Sequence, residues 1–191
     1  AAHPSAYLNM LYQPIYRTSA EQAFYVSYTN VESLDFKIYR VNPADLAKFV
    51  PDEDRNYTKE MLVADFRYTT KGRRDEGSLD KVEIRTLNGE PLPPGAYFLT
   101  LDSQDIEHDS QYLDSRYFVI TDIFLAFKNS PGDALVWATE AASGKPLAGL
   151  KLELYGLSGN EKWVGLGSGA TDKDGLLHLN VDPGYETRYA V

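Results

Sequence analysis

Apolar and polar residues alternate with period two in five stretches of this chain. In FYVSYTN, Phe24, Val26 and Tyr28 share one face, and Tyr25 and Ser27 take the other. LDFKIYRV sets Leu34, Phe36 and Ile38 against Asp35, Lys37 and Tyr39. GAYFLTL sets Tyr97, Leu99 and Leu101 against Phe98 and Thr100, and KLELY sets Leu152 and Leu154 against Lys151 and Glu153. LLHLNV sets Leu177, Leu179 and Val181 against His178 and Asn180. Successive side chains of a strand point to opposite faces, so the pattern predicts antiparallel sheets with one wet face. The many tyrosines suit half-buried strand surfaces.

One segment carries helix signals. In NPADLAKFVP, Asn42 can cap, Pro43 suits the first turn and Asp45 can return a hydrogen bond. Leu46, Phe49 and Val50 form an apolar stripe and Pro51 stops it, which predicts a short connector helix over 43–50. A weaker helical stretch, Lys59 to Ala64, reads as the lead-in to the strand MLVADFRYTT. Turn chemistry separates the apolar runs: TTKGRRDEGS at 69–78, Asn88-Gly89, Pro93-Pro94-Gly95, the acidic SQDIEHDSQ at 103–111, and NSPGDA at 129–134. Short strands at a spacing of about 8–12 residues with turns between them are the signature of a sandwich. The expected fold is all-β, two immunoglobulin-like antiparallel β-sandwich domains in tandem. The boundary falls at the end of the run RYFVITD, giving domains 1–121 and 122–191, with Asp122 opening the second. A Pro-Gly-aromatic lead recurs in PPGAYFLTL and DPGYETRYAV; if the second follows the first, the second domain stops about one strand short.

With 191 residues and 43% hydrophobic content, the chain has enough apolar material for a core. A net charge of -9 argues against nucleic acid and against an anionic membrane surface, both of which need a basic footprint. There is no cysteine, which excludes disulfides, thiolate metal sites, cysteine nucleophiles and thioesters within these residues. No apolar run approaches the roughly 20 residues of a membrane-spanning helix. The opening AAHPSAYLNM lacks the regions of a signal peptide, which fits a processed start or a piece cut from a longer protein.

Several motifs carry candidate chemistry, each with a plainer reading beside it. In ATDKDG, Asp172 and Asp174 stand where a calcium loop would begin, but Gly175 falls two places early and the twelfth position is Pro183. A tight hairpin turn feeding a strand explains the same residues. DIEHD at 105–109 gathers three carboxylates and His108, either a weak cation site or a solvated acidic loop. GLGSG at 165–169 resembles a phosphate loop but precedes a strand instead of a helix, so a glycine-rich strand end or bulge is expected. His3, His108 and His178 are the only histidines, and no GxSxG elbow or HExxH occurs. NYT at 56–58 matches a glycosylation acceptor or a chance occurrence. No catalytic, cofactor-binding or metal-binding residue is therefore assigned, and no cofactor is expected.

The residues RYFVITDIFLAFKNSPGDALVWATEAASGKPLAGLKLELYG, followed by LGSGATDKDGLLHL, resemble the macroglobulin-type domains of bacterial alpha-2-macroglobulins. Shared in order are an apolar strand ending in Thr-Asp, a strand like ALVWATEA, the turn SGKPLAG, a strand like KLELY, and the TDKDGLLHL turn-strand. FKIYRVNPADLAKF and PPGAYFLTL fit more loosely. The resemblance implies early scaffold domains of a secreted or envelope-anchored protein that traps proteases through a bait segment and a Cys-Gly-Glu-Gln thioester. The thioester cannot lie in this cysteine-free chain. It also implies no catalysis by these residues, an extracytoplasmic location, neighbouring domains as direct partners, and proteases as partners of the full-length protein only. Trp163 and Phe127 are candidates for interdomain contacts, or Trp163 covers its own domain's edge. The alternatives are an immunoglobulin-like surface stalk or adhesive module, one that binds a glycan through exposed tyrosines, and accessory domains of a secreted hydrolase.

Overall fold

A computed structural model describes residues 3–9, 15–43, 57–71, 77–157, 163–182 and 186–190. The chain divides into two compact units, one of residues 1–42 and 51–121 and one built on 122–191. The described structure is all-β, with one 3-10 turn at Lys59–Met61. The connector helix expected over 43–50 lies outside the described residues, apart from Pro43.

The first unit contains β1 (Ser5–Asn9), β2 (Ile15–Tyr16), β3 (Ala23–Thr29), β4 (Ser33–Val41), β5 (Leu62–Thr69), β6 (Ser78–Glu83), β7 (Gly95–Asp102) and β8 (Asp114–Ile120). They form a three-stranded sheet, β1-β3-β6, and a five-stranded sheet, β2-β8-β7-β4-β5. All pairs are antiparallel except β2 with β8, which run parallel over two residues, a departure from the wholly antiparallel expectation. Apolar residues from both sheets meet in one core, including Leu8, Phe24 and Val26 from one sheet and Phe36, Ile38 and Leu99 from the other. Phe24 and Phe36 cross the gap edge to face, with ring centres 4.9 Å apart.

The period-two reading holds in β3 and β4, where Phe24, Val26, Tyr28, Leu34, Phe36 and Ile38 are all buried. It fails in β7, where residues 96–101 are buried on both faces. The face expected to be wet is roofed by aromatics: Tyr57 stacks on Phe98 with centres 4.4 Å apart, and Tyr112 and Tyr117 close in from other sides. The Tyr57 and Tyr117 hydroxyls then pair at 2.6 Å. A central strand covered on both faces gives no alternation. The stretch at 59–64 is a 3-10 turn leading into β5.

The second unit contains β9 (Ile123–Ser130), β10 (Asp133–Glu140), β11 (Lys151–Leu157), β12 (Trp163–Ala170), β13 (Leu176–Asn180) and β14 (Glu186–Ala190). They form two three-stranded sheets, β13-β10-β9 and β12-β11-β14. Between them pack Ala134, Val136, Leu152, Leu154, Leu177 and Val181. Pro131-Gly132 makes the β9–β10 hairpin, with Gly132 at φ 88°. On β12, Leu154 pairs with Gly167 and Tyr155 with Gly165, so Leu166 is the extra residue of a bulge. Gly167 and Gly169 face Leu179 and Leu177 of the opposing sheet, and a Cβ on Gly169 would stand 2.6 Å from a Leu177 methyl. GLGSG is thus a glycine-rich bulged strand.

Candidate functional site

The ATDKDG segment resolves first. Asp172 Oδ1 accepts the backbone N–H groups of Asp174 and Leu176, each at 2.9 Å, and Asp172 O accepts from Gly175 N at 3.0 Å. Gly175 takes φ 76°. The carboxylate thus closes a turn. The turn is not a hairpin, because β12 and β13 belong to different sheets: it carries the chain from one layer of the sandwich to the other. Asn88-Gly89 likewise sits in a tight turn, where Gly89 N donates to Thr86 O and Gly89 takes φ 83°.

In DIEHD, Asp105 and His108 are both bonded to groups outside the motif. Asp105 accepts from Glu32 N at 2.6 Å, fixing the turn between β3 and β4. His108 Nε2 faces the Asp102 carboxylate at 2.9 Å, and Nδ1 faces the Ser110 carbonyl at 2.9 Å. The Ser110 hydroxyl donates to Tyr112 O at 2.6 Å, so toward His108 it can only accept. Both imidazole nitrogens therefore face acceptors, an arrangement that suits the doubly protonated ring. The Asp102 hydrogen bond, opposed by desolvation and aided by the Ser110 carbonyl and by Asp109, raises the His108 pKa above 6.5. Stabilisation from a raised histidine pKa is complete below the unfolded value of about 6.5 and is lost as pH rises through the folded value. An NMR titration should give a His108 midpoint above 6.5, which Asp102→Asn lowers. A midpoint at or below 6.5 contradicts the His108–Asp102 pairing.

His178 lies on the solvent face of β13, paired with Asp133 of β10 at 3.0 Å, and His3 is exposed. Among the described residues no three His, Asp or Glu side chains gather as a metal site. No described helix is long and apolar enough to cross a membrane.

One cluster was not anticipated from the sequence. Asp80, on β6, has a side chain only 6% exposed. It accepts from the Tyr28 hydroxyl at 2.5 Å, the Tyr68 hydroxyl at 2.8 Å and the Lys71 ammonium at 2.7 Å. Burial alone would raise the carboxyl pKa; the Lys71 ammonium and the two phenols outweigh it and hold the group below its ordinary range. Burial, and then the same carboxylate, push Tyr68 up to about 12. Tyr28 comes from one sheet and Tyr68 from the other, so Asp80 pins the two layers of the first unit together. The available signal was a lone aspartate on the face of β6 that carries buried Val82.

The outer faces show where further contacts can form. Phe127, half-buried, packs against both core clusters of its own unit. Trp163 is half-buried at the start of β12. The exposed apolar side chains are others. On the β13-β10-β9 sheet, Trp137 is 42% and Phe124 53% exposed, with Trp137 opposite Ala126 and Leu176. On the β1-β3-β6 sheet, Tyr7, Tyr25 and Leu79 are exposed, and Ser27 pairs with both Tyr7 and Leu79.

The described residues define a tandem of immunoglobulin-like β-sandwiches. Comparison with solved structures finds that fold in fragments of native alpha-2-macroglobulin from Escherichia coli. Against its fragment spanning domains MG0-NIE-MG1 the TM-score is 0.68 at 17% identity, covering 96% of this chain and 59% of that one. Against the NIE-MG1 fragment it is 0.61 at 16% identity, covering 99% of this chain and 94% of that one. The chain therefore spans about three fifths of the longer fragment and nearly all of the shorter. No protein-family model and no curated protein matches the chain.

Proposed function

We propose that these residues are non-catalytic scaffold domains of a bacterial alpha-2-macroglobulin-like, protease-trapping protein. The observation that carries the reading is the match over 94% of the NIE-MG1 fragment, two sandwich units against two named domains. The ordered motifs from FVITD to TDKDGLLHL, which resemble the domains of the same family, support it independently. On this reading the first unit stands in the place of NIE and the second in the place of MG1. The domains position a bait segment and a capture group that lie elsewhere in the parent chain, and the setting is the periplasm or cell envelope. Their partners are the adjoining domains, met through outer faces such as those of Trp137 and Phe124. Proteases are engaged only by the whole protein.

The full-length parent tests this. Mixed with a serine endopeptidase, it should retain the enzyme through size-exclusion chromatography, and cleavage of the parent should accompany retention. A parent that retains no endopeptidase contradicts the assignment.

A further inference from the structure

We draw no further inference here: the strongest candidate, the exposed patch of Tyr7, Tyr25 and Leu79 on the outer face of the β1-β3-β6 sheet, carries nothing because nothing in the structure shows what covers it.

Discussion

Gly175→Ala destabilises the second unit by about 3–5 kcal/mol, while Gly144→Ala costs only about 1–2 kcal/mol. Both glycines have positive φ, 76° and 70°, so both substitutions carry the same backbone strain. They differ in their surroundings. A Cβ on Gly144 meets nothing within 4 Å, whereas one on Gly175 stands 2.5 Å from Ala138 O and 3.2 Å from Leu147 N. Those atoms cannot retreat cheaply. Ala138 N donates to Gly175 O at 2.8 Å, and Leu147 N donates to Ala138 O at 3.0 Å. Separating them opens the join between β10 and the SGKPLAG turn. Denaturant unfolding of both variants checks the difference; equal losses would show that the close approach carries no weight.

Asp80→Ala lowers the stability of the first unit by about 3 kcal/mol, a fall in Tm on the order of 10 °C for a unit of this size. Removing the aspartate takes the shared acceptor from two phenols and an ammonium, and Tyr28 is buried. The pH dependence has a definite sign. A carboxyl whose folded pKa lies below its unfolded value stabilises above the unfolded value of about 3.9, and the contribution is lost as pH falls through the folded value. Asp80→Asn should therefore be less stable than the parent sequence at pH 7 and lose less on acidification to pH 3. Parallel acid-unfolding curves for the two proteins would show that Asp80 is not held as the buried anion.

Strand identity was legible wherever one face of a sheet is wet. Leu152 and Leu154 on β11, and Phe24 and Val26 on β3, sit inside as their alternation requires. The pattern misled where burial is two-sided or absent. The cover over Phe98 includes Tyr57, some forty residues distant in sequence, so nothing near β7 announces it. In IFLAFKNS the unbroken apolar start has no period to read; Leu125 and Phe127 turn inward while Phe124 stays outside. The turn at 172–175 was legible as a turn from its Asp and Gly alone. That it joins two sheets depends on β13 pairing with β10, about forty residues upstream. The Asp80 cluster draws on residues 28, 68, 71 and 80, and only the inward position of Asp80 hints at it. In DIEHD, Asp105 accepts from the backbone of another loop and the partner of His108, Asp102, stands outside the motif, so the motif alone gave no sign of either bond.

The scaffold claim is tested most directly by titrating the isolated 191-residue chain into a fixed amount of active elastase, with a protein substrate as the readout. The account predicts unchanged activity at tenfold molar excess of the chain. An equivalence point near one chain per protease would contradict it, because these residues would then trap the enzyme without the rest of the parent.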